Sequence, residues 1–326
     1  MLPNRSQEQN DVFWHPQGFR YFPLGLAMWQ QFGCNVWKVS IDARFSCPNV
    51  DGTVGTGGCV FCNTHSFSPS RRLTPKLSVH DQIAEGIRQL RRRYHAEKFI
   101  AYFQPSTNTY APVEVLEKLY RSALDHPDVT GLALGTRPDA LPENVLELLQ
   151  QLAQRYWVQI EIGLQSIHQK SLDFLNRGHS YALFLGAFQR VRQRNLRTCV
   201  HLILGIPIED RSDVLATAKA MAALRPESIK LHNLCVVRET KLAEMWSAGR
   251  LALPTLSEYA GLVVDFLERQ PPDLVVERIS GEADADYLLA PDWSGIKHAA
   301  RNAVDQEFRR RNTFQGIRWQ DARAGG

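Results

Sequence analysis

Three cysteines, Cys47, Cys59 and Cys62, fall within sixteen consecutive positions of a chain that carries six in all. Six in 326 residues are too sparse for a disulfide framework, and in a reducing compartment this crowding points to metal or redox chemistry. The segment reads FSCPNVDGTVGTGGCVFCNTHSF, with eleven residues between Cys47 and Cys59 and two between Cys59 and Cys62. Its glycines, Gly52, Gly55, Gly57 and Gly58, make the loop compliant enough to wrap around a centre. Three protein thiolates suit a cubane 4Fe-4S cluster with one iron left open, because full ligation of a cubane uses four. An open iron is what a substrate-binding cluster requires. Two other readings share these residues. His65, three positions beyond Cys62, would complete a closed Cys3His zinc site that staples a nucleic-acid-binding protein. An electron carrier would need a fourth cysteine, and none stands nearby. Cys34, Cys199 and Cys235 stand apart, and a buried place in the core is expected for each.

These side chains need a scaffold. The chain has 326 residues, 44% of them hydrophobic and 22% charged, with 38 Lys+Arg against 34 Asp+Glu. That is globular composition, long enough for one large domain with extensions, and a net charge of +4 permits a polyanionic partner without demanding one. The opening MLPNRSQEQN lacks the positive and then apolar pattern of a secretory signal. The most apolar early stretch, FPLGLAMW, is shorter than the roughly 20 residues that a bilayer helix needs. A soluble, cytoplasmic protein with no membrane partner is the expectation.

From residue 36 onward, short β-branched or apolar runs alternate with amphipathic stretches, the pattern of a parallel sheet wrapped by helices. The runs are 36–41, 99–103, 131–135, 158–164, 198–204 and 228–234, and most are spaced as one strand, loop and crossover helix each. The stretches 112–124, 142–155 and 210–224 carry apolar residues at helical spacing, with Pro or Asp near the start. Six such units predict an α/β fold, a partial (βα)6 TIM-type barrel. Its core spans 31–265, with an N-terminal extension at 1–30 and a C-terminal extension at 266–326 that opens on a strand-like LVVERI. Period-two reading puts Gln159, Glu161 and Gln165 opposite Val158, Ile160, Ile162 and Leu164. The same split sets Cys199 and His201 against Val200 and Leu202, and Lys230 and His232 against Ile229 and Leu231. Helices outside claim the apolar faces, so the polar ones line the interior, as in a barrel that holds a ligand.

The cysteine segment, with Phe61 before the last cysteine, resembles the radical S-adenosylmethionine (radical SAM) superfamily in a variant whose first gap is eleven residues rather than three. AYFQPSTNTYAP (101–112), GTRPDAL (135–141), EIGLQS (161–166), LNRGHS (175–180), HLILGIP (201–207) and IKLHNL (229–234) follow in order. Together they resemble the YhcC/YtqA-type radical SAM proteins, relatives of the radical SAM part of the Elongator catalytic subunit. The resemblance implies that Cys47, Cys59 and Cys62 bind a 4Fe-4S cluster and that S-adenosylmethionine occupies its fourth iron. Reductive cleavage then yields a 5′-deoxyadenosyl radical, with a flavodoxin or ferredoxin as electron donor. It also implies cofactor contacts: Phe61; Gln104, Thr107 and Asn108, which stand where relatives carry Gly-Gly-Glu; Gln165 with Arg177, the latter suited to the methionine carboxylate; and Glu161 and His201 for ribose or adenine. Lys230 and His232 are substrate candidates, and no catalytic side chain is named beyond the cysteines.

The tie to Elongator implies tRNA as substrate and a wobble-uridine side chain as the target. Arg91 to Arg93, Arg190, Arg192, Arg194, Arg197 and Arg309 to Arg311 offer basic patches for phosphates, and solvated helix faces account for the same residues. A radical SAM enzyme acting on a protein or small molecule is the alternative within the same class. The defaults for Tyr110, Glu277 and Arg278 are packed or solvated roles.

Overall fold

The computed structural model describes residues 12–69 and 77–320; the opening ten residues weighed above as a leader lie outside them. Six parallel strands appear where spacing expects them: β1 (Val36–Ile41), β2 (Lys98–Phe103), β3 (Val129–Thr136), β4 (Trp157–Gln165), β5 (Arg197–Leu204) and β6 (Ser228–Asn233). They pair in chain order. After the two-residue strand β7 (Val236–Val237), β8 (Val275–Arg278) adds a seventh parallel strand beside β6. The six-strand count is therefore short by one. The connection into β8 runs through two helices, Lys241–Ser247 and Leu256–Leu267, which breaks the regular spacing, and β8 itself lies within the stretch 266–326 read as an extension. A short β9 (Leu288–Ala290) pairs antiparallel with β7.

The crossover helices start at residues suited to a helix N-terminus. Pro112 and Pro142 are the caps of Val113–Leu124 and Glu143–Ala153. Asp210 caps Arg211–Leu224 in a capping box with Asp213. Val158, Ile160, Ile162, Leu164, Val200, Leu202, Ile229 and Leu231 all join one apolar core with these helices. The polar alternates face the other way. β1 and β8 are the two edges of the sheet, yet Lys38 of β1 lies 2.6 Å from Glu277 of β8, so the sheet curls until its edges nearly meet. The result is an open half-barrel.

Its interior is layered. Helix Leu24–Phe32 places Met28 against Ile100, Tyr102 and Ala133 and closes one end with apolar contacts. Charged side chains fill the middle, and a cavity opens beyond the carboxyl ends of the strands, where such barrels place their chemistry. Among the described residues no helix is long and apolar enough to cross a membrane.

Candidate functional site

The chain leaves β1 and enters the cysteine loop, which the backbone pins at several points. Val50 N–H donates to the Cys47 carbonyl (2.8 Å), Cys62 N–H to that of Cys59 (3.0 Å) and Val60 N–H to that of Leu175 (3.1 Å). Asn49 is buried and donates to the Asn176 carbonyl at 2.7 Å, while the Asn176 side chain donates to the Gly58 carbonyl, also at 2.7 Å. The loop is thus clasped to the LNRGHS segment. Gly178 completes the clasp at φ +66°, and a Cβ there would sit 2.8 Å from the Asn49 side-chain oxygen.

Arg177 follows from this clasp. Its side chain is buried and donates through Nη1 to Cys59 Sγ (3.0 Å), through Nη2 to the Gly163 carbonyl (2.7 Å) and through Nε to His179 Nε2 (3.3 Å). Arg137, from GTRPDAL, pairs with Asp139 and donates to the Arg177 carbonyl at 2.7 Å. Gly163 admits this packing because a Cβ would lie 2.9 Å from Gln165 Nε2 and 3.2 Å from Arg177 Nη2. The surface ion pair that would account for Arg177 otherwise is absent: it is buried, and no carboxylate pairs with it among the described residues. His179 accepts as a neutral imidazole, its pKa lowered to about 4 by burial and by the neighbouring Arg177 and Arg137.

Cys59 is buried, Cys47 half-buried and Cys62 exposed. The Cys62 thiol is nonetheless crowded, and that crowding, with Cys59 and Cys47 close by, pushes its pKa up to about 12. The three cysteines thus stand near one another in the loop. The exposed His65 turns its ring to Tyr287, 6.1 Å between centroids. Among the described residues the one trio of ligand atoms all within 4.8 Å of one another is Glu161, Cys199 and His201, not the loop cysteines with His65. Tetrahedral zinc, with bonds of about 2.3 Å to sulfur, holds its ligands roughly 4 Å apart, whereas cysteines on separate irons of a cubane stand wider. Among the described residues these cysteines and His65 do not form a closed ligand set of that kind.

Cys62 lines a cavity of about 270 Å³ together with Phe61, Gln104, Gln165, His201, Lys230 and His232. Tyr102, Cys235 and Arg278 complete its wall. Seven sequence candidates thus meet in one place. Gln104 accepts from Ser40 Oγ at 3.2 Å, and Gln165 turns inward at φ +77°. Thr107 and Asn108 do not reach the cavity. Both are buried behind it, and Asn108 Nδ2 clamps the carbonyls of Pro105 (3.0 Å) and Gly135 (2.9 Å). Cys199 is buried as expected, whereas Cys34 and Cys235 are only partly so.

Glu161 lies beneath the cavity. Its carboxylate accepts from Lys38 Nζ (2.7 Å), from Lys230 Nζ and, at 2.8 Å, from His201 Nε2. Glu277 accepts from Lys38 (2.6 Å), Gln159 (2.7 Å) and Ser228 (2.8 Å). Burial pushes both acids up, but the ammonium groups win: Glu161 is held well below the usual carboxylate range and Glu277 below it. Burial likewise pulls Lys230 down, and the two carboxylates more than reverse this, so it stays cationic, 3.0 Å from Tyr102 OH. His232 is driven well below 6.5 by burial and by His201, Arg278 and Lys230, and its Nε2 has no partner among the described residues. With both oxygens engaged, Glu161 is a support for Lys230 and His201 and not a free hydrogen-bonding group for ribose. The same two ammonium groups disfavour a metal ion at Glu161, Cys199 and His201. Sequence reasoning passed over Lys38, Tyr102 and Asn49 and assigned Glu277 a default role. Period two in β1 sets Lys38 and Ser40 opposite Val39 and Ile41, a signal that identifies Lys38.

Residues 52–221 match the Radical SAM superfamily, and residues 226–310 match the Radical_SAM C-terminal domain. YtqA of Bacillus subtilis (strain 168) is 36% identical over 304 residues, 91% of this chain and 92% of that protein. Protein YhcC of Escherichia coli (strain K12) is 39% identical over 271 residues, 83% of this chain and 86% of that protein. In fold the chain is similar to the archaeal Methanocaldococcus infernus Elp3 with an N-terminal deletion, at a TM-score of 0.67 and 17% identity. That match covers 86% of this chain but 64% of the Elp3 chain, so the present chain spans less than two thirds of that neighbour.

Proposed function

Because this chain belongs to the radical SAM superfamily, we propose that it holds a 4Fe-4S cluster on Cys47, Cys59 and Cys62, cleaves S-adenosylmethionine reductively and acts on a uridine side chain of tRNA. One observation carries the reading: the Arg177 guanidinium, out of water and without a carboxylate among the described residues, donates to Cys59 Sγ at 3.0 Å. A buried cation of this kind needs an anionic partner, and a cluster bound by thiolates provides one. When bound, the cluster and S-adenosylmethionine together supply a one-electron cleavage and a carbon-centred radical able to take hydrogen from a substrate.

The chain's own residues bind, orient and shield. Phe61 and Tyr102 wall the cavity against water, and Gln104 and Gln165 offer amides at its rim for the polar groups of S-adenosylmethionine. Arg177 serves the sulfur rather than the methionine carboxylate. Deeper in, Lys230 presents a fixed positive charge and His232 an imidazole with a free Nε2, a pair suited to the carbonyl edge of a pyrimidine. Support for tRNA comes from the likeness to Elongator-type proteins and from this lining. A flavodoxin or ferredoxin as electron donor and a cytoplasmic setting complete the proposal.

Anaerobic purification tests the chemistry. A brown protein with absorbance near about 400 nm, which releases 5′-deoxyadenosine after reduction, supports it; stoichiometric zinc without iron removes it. Mass spectrometry of tRNA nucleosides from a deletion strain and its parent tests the substrate, and an unchanged profile redirects the search to proteins or small molecules.

A further inference from the structure

The fold sorts the arginine-rich stretches of the sequence. Arg91 pairs with Asp128 at 2.5 Å, Arg190 and Arg194 share Glu143, and Arg310 and Arg311 share Glu307. Among the described residues Arg192 and Arg197 pair with no carboxylate. Together with Arg225 they line a cavity of about 460 Å³ where β5, β6 and β8 begin, walled on its far side by Gln30 and Gln31 of helix Leu24–Phe32. This is the end of the half-barrel opposite the cysteine loop, and the eight residues of β5 separate the two ends by about 25 Å at roughly 3.3 Å each.

The three guanidinium groups are held but not saturated. Arg192 donates through Nη1 to the carbonyls of Leu224 (2.8 Å) and Arg225 (3.1 Å), which leaves its other edge free. Arg225 rests on Trp319, 5.3 Å from the ring centroid, and meets Asp273 at the rim at 2.8 Å. Arg197 lies over the Trp157 indole at 5.6 Å, and its Nε, shut from water, has no acceptor among the described residues. A guanidinium that lines a cavity with hydrogen bonds left unmade favours a ligand that supplies an acceptor. The remaining acid, Glu227, is committed to Thr198: one oxygen accepts from its backbone N–H (2.7 Å) and its hydroxyl (2.6 Å).

We propose that this cavity binds a phosphate group, as a free monoester or as a phosphodiester, with Arg197 and Arg192 as its donors. A carboxylate saturates one guanidinium fork, whereas the oxygens of a phosphate serve two. The site stands apart from the cluster reading and does not depend on it. Calorimetric titration of the full chain with inorganic phosphate, and separately with tRNA, at fixed ionic strength tests it in wild type, R197Q, R192Q and the control R190Q. Wild type and R190Q bind phosphate, and R197Q and R192Q bind it about tenfold or more weakly. A parallel loss of tRNA affinity identifies an RNA phosphodiester as the source, and unchanged tRNA affinity identifies a small phosphorylated ligand. Absence of phosphate binding in wild type, or equal affinity in R192Q, overturns the proposal. Arg192 is exposed, so R192Q carries the test even where R197Q does not fold.

Discussion

Arg177 and Cys59, 118 positions apart in the chain, meet at 3.0 Å through Nη1 and Sγ, in a place shut from water. The contact joins the LNRGHS segment to the cysteine loop.

Arg177→Gln keeps a hydrogen-bonding amide but removes the charge. Iron and sulfide per chain fall, and 5′-deoxyadenosine formation drops by about tenfold or more, the scale of a charge-assisted hydrogen bond. Full iron loading with unchanged cleavage means that the guanidinium does not serve a cluster.

Alanine at any one of Cys47, Cys59 or Cys62 abolishes cleavage of S-adenosylmethionine, because two thiolates leave a cubane labile. His65→Ala, by contrast, leaves metal content as it is. Loss of bound metal in His65→Ala, measured by elemental analysis, reinstates the closed zinc site.

Lys38→Met strands Glu161 and Glu277 with one ammonium between them, and removing one partner of a buried pair destabilises by about 3–5 kcal/mol. The double variant Lys38→Met/Glu277→Gln deletes one charge of each sign and recovers most of that loss. Urea unfolding of the two proteins decides, and equal stability in both removes the network as a unit.

His179 gives the fold an acid limit. Its imidazole pKa is depressed to about 4 in the folded state against 6.5 unfolded, so between these values the unfolded chain binds a proton that the folded chain does not. Stability therefore falls as pH drops from 6.5 towards 4, by on the order of 3 kcal/mol in total. His179→Asn, which keeps a polar group beside Arg177, flattens this limb. Identical pH profiles for the two proteins contradict the assignment.

Glu161, in contrast, stabilises the fold above the ordinary carboxylate pKa and loses that contribution as pH falls below it, since its folded pKa is held well under 4.5 by Lys230 and Lys38 against the effect of burial. Glu161→Gln lacks this acid-labile part and is less stable than wild type near neutrality. The difference between the two narrows as pH drops below 4.5, and a constant difference across the acid range removes the effect.

What the sequence determined by itself is what depends on neighbours along the chain. Strand and helix periods separate the polar interior face from the apolar one, and this alone puts Gln159, Glu161, Lys230 and His232 inside. The spacing of Cys47, Cys59 and Cys62 points to a metal centre. Tertiary structure alone decided which inward side chains touch. Lys38 finds Glu161 across 123 positions and Glu277 across 239, because only the curl of seven strands brings the sheet's edges together. That closure turned Glu161 from a ligand candidate into a counterion, withdrew Thr107 and Asn108 behind the cavity wall, and separated Arg192 and Arg197 from the paired arginines beside them. A face is a property of local repeat, whereas a partner is a property of the whole folded path.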